Sequence, residues 1–98
     1  MSDTDRPAAV PTVFVDNDVT RVTEWRFAPG AATGWHRHEL DYVVVPMLDG
    51  HLQLLEPGGT SRIAELEAGK PYYRAAGVEH DVVNANDYEY VFVEIEMK

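Results

Sequence analysis

Histidines are the residues of this chain whose type and spacing could do chemistry. His36 and His38 are two positions apart, so on a β-strand both imidazoles point to one face, about 7 Å apart along the chain. Two neutral imidazoles that converge on one spot make half of a transition-metal site. The pair alone is a weak signal, because exposed histidines often share a polar strand face. His51 alternates with Leu52 and Leu54, which are expected to face the core, so His51 is predicted to point outward.

Short β-strands are the elements that must position these side chains. Residues 19–27 alternate in character, with Thr23, Trp25 and Phe27 on one face, and residues 88–97 form the clearest strand. Turn residues separate eight or so such segments, and no helical period is present. The pattern predicts an all-β sandwich or barrel, and the short connections favour antiparallel order.

Length and composition predict one soluble domain. With 98 residues, the chain is expected to form a flexible tail over residues 1–11 and a single β-domain over residues 12–98. The acidic, polar start does not resemble a secretory signal, and the absence of cysteine excludes a disulfide framework, so the default location is the cytoplasm. Eight basic against 17 acidic residues give a net charge of −9, which argues against nucleic acid and anionic membranes as partners.

Two spaced motifs strengthen the prediction that the histidines bind a metal. The first runs from Gly30 through His36 and His38 to Gly50. The second is Gly69, five residues, Ala75, one residue, Gly77, two residues, His80, three residues and Asn84. At these residues the sequence resembles the cupin superfamily, whose second motif has a proline at the position of Ala75. The resemblance covers more than half of the chain, and the strand pattern extends it over nearly all of it.

The resemblance implies a fold and a ligand set. The fold would be a cupin-like double-stranded β-helix, a jelly-roll barrel of antiparallel strands, with a metal in its mouth. His36, His38 and His80 correspond one by one to the three histidine ligands of the family. The implied cofactor is one divalent transition-metal ion, and Fe, Mn, Ni, Zn and Cu all accept imidazole. Asn84 is expected to tie a turn through its side-chain amide.

The fourth ligand of the family has no counterpart here. The family glutamate would fall at Tyr42 or Val43, and neither is a carboxylate. Glu39 and Asp41 lie nearby, but strand alternation turns them away from the histidines, and only a bulge would bring Asp41 round. The sequence therefore predicts a three-histidine site completed by water, small anions or substrate, with open positions of the kind that a catalytic metal needs.

Three further residues are candidates for binding a substrate. Tyr42 and Tyr72 are the aromatic residues most expected to form a pocket wall above the metal. Arg74, six residues before His80, has two alternative roles: it binds a substrate carboxylate through its planar fork, or it is satisfied by a structural Glu or Asp partner.

The predicted function is a metal-dependent enzyme acting on a small organic molecule, and the resemblance to three-histidine cupin dioxygenases implies dioxygenase-like chemistry. Three histidines with open positions suit Fe(II), where dioxygen and substrate could both bind. The alternative is a module that binds metal or a small ligand without catalysis, or a barrel that does not use its metal. A homodimer is also predicted, because residues 42–48 are apolar on both faces and a two-fold partner could cover the outer one.

Overall fold

The computed structural model describes residues 6–98, and this part of the chain folds almost entirely into β-strands. A single 3-10 turn, Pro57–Gly59, is its one helical element. The nine strands of the described residues are β1 (Val10–Asp16), β2 (Thr20–Phe27), β3 (His36–Arg37), β4 (Asp41–Pro46), β5 (Gly50–Glu56), β6 (Thr60–Leu66), β7 (Tyr72–Arg74), β8 (Glu79–Asn84) and β9 (Tyr90–Met97).

The strands form two antiparallel sheets that close into the predicted jelly-roll barrel. The five-stranded sheet has the order β1-β2-β9-β4-β7, and the four-stranded sheet has the order β3-β8-β5-β6. Every strand pair in both sheets is antiparallel. The all-β, antiparallel fold class expected from the strand pattern is therefore confirmed.

The predicted N-terminal tail, residues 1–11, lies partly outside the described residues. Within the described part, the amide of Ala9 donates a hydrogen bond to the carbonyl of Ala32 at 2.9 Å, and β1 begins at Val10. The boundary expected between residues 11 and 12 thus falls inside a strand that pairs with β2. Among the described residues there is no helix with the length and apolar character to cross a membrane.

The core fills the space between the two sheets. It is built from side chains of both sheets and of two adjoining segments: Ala9, Phe27, Ala31, Tyr42, Val44, Leu52, Leu54, Leu66, Val82, Tyr90 and Phe92. Phe27 and Phe92 contact each other with ring centroids 5.4 Å apart. Strand alternation explains the set, since Phe27 shares its face of β2 with Thr23 and Trp25, as the sequence predicted.

One end of the barrel is closed by a hydrogen-bond network around Asn84. Its side-chain amide donates to the carbonyls of Phe27, Ala28 and Tyr88 at 3.2, 3.3 and 2.9 Å, which bears out its predicted turn-tying role. Gly50 packs against this end so closely that a Cβ atom there would lie 2.8 Å from Tyr88 Oη. We call this region, residues 27, 28, 50, 84, 88 and 90, the closed end.

Candidate metal centre

Three histidines converge at the opposite end of the barrel. His36 on β3 lies directly across from His80 on β8, and His38 follows β3 by one residue. The Nε2 atom of His38 lies 3.0 Å from Nε2 of His36 and 3.1 Å from Nε2 of His80. The described residues contain one group of this kind, in which three potential ligand atoms lie within 4.8 Å of one another. The structure therefore brings together the three histidines that the sequence singled out. His51, by contrast, is exposed.

Hydrogen bonding sets the tautomer of His36. Its Nδ1 atom lies 2.9 Å from the carbonyl oxygen of Gly34, and because a carbonyl can only accept, Nδ1 must carry the proton. In the neutral ring the lone pair is then on Nε2, which points at the other two rings. Fixing one nitrogen to orient the other is how proteins commonly prepare a metal-ligating histidine.

Burial keeps the other two rings uncharged. Burial, with a smaller contribution from the neighbouring His36, lowers the pKa of His38 to about 4. Burial likewise lowers the pKa of His80 to about 3, with smaller contributions from His36 and His38. Both imidazoles are therefore neutral at pH 7, the state in which a ring nitrogen binds a metal.

Tyr42 occupies the place where a fourth protein ligand was considered. Its ring stacks on that of His38 with centroids 3.9 Å apart, and the residue is 1% exposed. Val43 alternates to the other face of β4. Asp41 is exposed and accepts a hydrogen bond from the Ala76 amide at 2.7 Å, so its carboxylate is held away from the histidines.

A row of four side chains crosses the inner face of the five-stranded sheet beside the histidines. The strand register places Arg21 opposite Glu96, Glu96 opposite Tyr42, and Tyr42 opposite Arg74. We call these four residues the inner row. At one end, Arg21 and Glu96 form a two-pronged ion pair, with Nε–Oε1 and Nη2–Oε2 distances of 2.9 and 3.4 Å.

The other end of the inner row lacks such pairing. Arg74 is half-buried, and within residues 6–98 no carboxylate lies within ion-pair distance of its guanidinium. The buried hydroxyl of Tyr42 has no hydrogen-bond partner among the described residues. The sequence left two roles open for Arg74, and the Glu or Asp partner that the structural role requires is not found among the described residues. Tyr72 lies one row away, opposite Val44, and is half-buried.

Glu94 is a site residue that the sequence analysis missed. It is 9% exposed, and its Oε1 atom lies 3.6 Å from Nδ1 of His38, on the side of the ring away from Nε2. Burial raises its pKa to about 7, with Glu96 contributing less. The signal was present in β9: Glu94 and Glu96 share the parity of Tyr90 and Phe92, which belong to the core.

The histidines and both ends of the inner row line one cavity of about 320 Å³. Tyr42, Tyr72 and Arg74 all contribute to its wall, so the three predicted substrate-facing residues share one space with the predicted ligands. A second cavity, of about 400 Å³, adjoins it, with Leu54, Tyr72 and Arg74 common to the two. The first volume is of the size that holds a small organic ligand.

Known proteins resemble this chain over nearly its whole length. No protein-family model matches it. Beta-alanine degradation protein BauB of Pseudomonas aeruginosa is 63% identical over 93 residues, which are 95% of this chain and 97% of that protein. The crystal structure of a cupin domain from Bordetella pertussis is 57% identical, covers 96% of this chain and 97% of its own, and superposes with a TM-score of 0.93.

More distant structures share the fold alone. A Klebsiella pneumoniae protein with a double-stranded β-helix domain is 19% identical, with a TM-score of 0.75 over 92% of this chain and 76% of its own. The polyketide cyclase RemF of Streptomyces resistomycificus is 22% identical, with a TM-score of 0.70 over 95% of this chain and 69% of its own. Together with the barrel topology and the three converging histidines, the strong identities above show that this chain belongs to the cupin superfamily.

Proposed function

We propose that the protein binds one divalent transition-metal ion through His36, His38 and His80 and uses it in chemistry on a small organic molecule. The observation that carries the proposal is the convergence of three Nε2 atoms, at separations of 3.0 and 3.1 Å from His38, on one wall of a cavity.

The observed spacing fits an imidazole-bound ion. Two nitrogens bonded to one ion at about 2.1 Å, with about 90° between the bonds, lie about 3.0 Å apart. Three neutral rings also cannot satisfy one another by hydrogen bonding. The single Nε2 atom of His38 faces the Nε2 atoms of both other rings, and it can donate its one proton to only one of them. Iron, manganese, nickel, zinc and copper all accept such ligands, so the identity of the ion is left to experiment.

A bound ion would act as a Lewis acid with coordination positions open to the cavity. The chain's own residues would supply the remaining functions. Tyr42, Tyr72 and Arg74 would contact the substrate, and the apolar wall formed by Val44 and Leu54 would limit water. The name of the Pseudomonas relative, a beta-alanine degradation protein, supports a role in the breakdown of a small metabolite such as β-alanine.

Metal analysis tests this proposal directly. Emission spectrometry on protein purified without a histidine tag should find about one transition-metal ion per chain. The substitution His36→Ala should remove it. His51→Ala is the matched control, because His51 is an exposed histidine outside the cavity, and it should keep the metal. Equal metal content in all three proteins would contradict the assignment of the ligands.

Oxygen uptake separates an enzyme from a binding module. The Fe(II)-loaded protein would be mixed with a panel of small organic molecules that includes β-alanine, and uptake would be followed with an electrode. Dioxygenase-like activity predicts substrate-dependent uptake that His36→Ala abolishes. Stoichiometric metal with no uptake across the panel would favour the alternative, a cupin that binds metal or a small ligand without this chemistry.

The predicted homodimer rests on the outer face of the five-stranded sheet. There the register aligns an apolar row across all five strands, namely Val15, Val22, Ile95, Val43 and Tyr73. A second copy of the sheet would bury this row, and an interface of about 1,600 Å² is of standard size for a stable pair. The net charge of −9 per chain opposes association by an amount that salt screens.

Light scattering at micromolar concentration tests the dimer. A mass near twice 11.0 kDa is expected for the wild type. Ile95→Lys, in the middle of the apolar row, should shift the protein toward monomer. Ile63→Lys is the control, because Ile63 is 57% exposed on β6 of the other sheet. A wild-type mass near that of one chain at moderate salt would contradict the dimer.

The cytoplasmic location and the absence of nucleic-acid and membrane partners stay predictions from the sequence.

A further inference from the structure

We infer that the cavity holds a carboxylate-binding subsite formed by the Arg74 guanidinium and the Tyr42 hydroxyl, so that the substrate is a small organic carboxylate presented to the three histidines. The inference deepens the proposed function and rests on it only for the role of the metal. The carboxylate subsite itself depends on the side chains of β4 and β7.

Strand register places the two groups together. Tyr42 and Arg74 are direct cross-strand partners of the antiparallel pair β4–β7, so their side chains leave the same face side by side. Both line the cavity that contains His36, His38 and His80.

The Tyr42–Arg74 end of the inner row differs from the Arg21–Glu96 end in whether its polar groups have partners in the protein. Arg21 is neutralised by Glu96 through two contacts, whereas Arg74 has no carboxylate partner within residues 6–98. The Tyr42 hydroxyl is buried without a partner among the same residues, although buried polar groups in proteins are nearly always hydrogen-bonded. A guanidinium fork and a neighbouring hydroxyl donor together match the two oxygens of a carboxylate.

The size and shape of the space restrict the ligand further. The cavity of about 320 Å³ is also lined by the apolar side chains of Val44, Leu52 and Leu54. A carboxylate held by Arg74 would therefore direct a short carbon chain along this apolar wall toward the histidines. A molecule of a few carbon atoms with one terminal carboxylate would pair with the Arg74 guanidinium and pack its carbon chain against the apolar wall.

Propionate and propionamide are the probes that test the subsite. They have the same chain length, but only propionate carries a carboxylate. Each would be titrated into metal-loaded protein and followed by amide chemical shifts. The wild type should bind propionate at least tenfold more tightly than propionamide. Equal affinity for the two probes would overturn the inference.

Substitutions then locate the binding group. Arg74→Gln should weaken propionate binding at least tenfold, and Arg74→Lys, which keeps the charge but not the fork, should give an intermediate loss. Arg62→Gln is the matched control, because Arg62 contacts Glu56 and lines only the second cavity, and it should bind as the wild type does. Tyr42→Phe should cost several-fold in affinity. Wild-type affinity in a folded Arg74→Gln protein would overturn the inference.

Metal content keeps the two proposals separable. A carboxylate could bind the ion rather than Arg74, so the titration is repeated in His36→Ala. Retained preference for propionate that Arg74→Gln removes supports the subsite, even if the wild type proves to contain no metal. Preference for propionate that disappears with the metal and is unaffected by Arg74→Gln overturns the subsite while leaving the metal centre intact.

Discussion

Two tyrosines, one at each end of the barrel, show how differently the same side chain is treated. Tyr90 is 0% exposed, and its hydroxyl donates to the carbonyl of Leu48 at 2.7 Å within the closed end. Tyr42 is 1% exposed, and its hydroxyl faces the cavity with no partner among the described residues. The two side chains are equally buried, but only the Tyr90 hydroxyl is hydrogen-bonded within the described residues. The closed end therefore stabilises the fold, whereas the histidine end holds polar groups with which a ligand would form hydrogen bonds.

This contrast extends beyond the two hydroxyls. The closed end contains Asn84, whose amide and carbonyl groups are both used within the protein. The histidine end contains neutral imidazoles, an unpaired Arg74 within the described residues, and the buried Glu94. Burying such groups without full pairing costs stability. Each prediction below changes one end and leaves the other as its reference.

The largest loss of stability is expected for Asn84→Ala. The substitution leaves the carbonyls of Phe27, Ala28 and Tyr88 without their donor and should lower the free energy of unfolding by about 3 kcal/mol. Thermal unfolding should then occur at least about 12 °C lower. Ser61→Ala, at an exposed position of β6, is the control and should leave the midpoint unchanged. A loss no larger than that of the control would show that the network contributes little.

Metal should stabilise the histidine end by a comparable amount. At a free metal concentration of 100 times Kd, the gain in unfolding free energy is about 2.7 kcal/mol. Calorimetry with and without chelator should show this increase for the wild type and for His51→Ala, but not for His36→Ala. An equal increase in all three proteins would indicate binding away from the three histidines.

Tyr90→Phe should have a smaller effect of the same sign as Asn84→Ala. It removes the hydrogen bond to the Leu48 carbonyl while preserving the buried ring, and should cost about 1 kcal/mol. Denaturant titration measures this change, and the affinity for metal should be unaffected. An unchanged midpoint would remove the distinction between the two tyrosines.

Tyr42→Phe is the matched substitution at the other end and should have the smallest effect, with the opposite sign. Removing a buried hydroxyl that has no protein partner should leave stability unchanged or raise it by about 0.5 kcal/mol. The same denaturant titration applies. A loss similar to that of Tyr90→Phe would show that the hydroxyl is already satisfied in the unliganded protein.

Much of the fold could be predicted because strand alternation and turn residues are local signals. The alternation of residues 19–27 correctly grouped Thr23, Trp25 and Phe27 on the inner face of β2. The H-x-H spacing and the second motif were sufficient to bring His80 to the pair. Gly77 of the second motif is an equally local signal, since its φ of 98° lies in the region that favours glycine.

The inner row could not be predicted in the same way. Its members come from four strands, and only the register between strands places Tyr42 beside Arg74 and Glu96 beside Arg21. Register depends on pairing between segments far apart in sequence. Glu94 was missed for a related reason: charge predicts exposure, and only the neighbouring aromatic residues of β9 show that its face is the buried one.

The position of β9 has a consequence for how the protein is made. This strand is the last of the nine described in chain order, yet it lies in the middle of the five-stranded sheet, between β2 and β4. During synthesis, therefore, β2 and β4 have no shared neighbour until residue 97 has left the ribosome. Before β9 emerges, Glu94 and Glu96 are also missing from the wall of the cavity. The nascent chain would present unpaired strand edges to chaperones, and folding would be completed after translation of the barrel rather than during it.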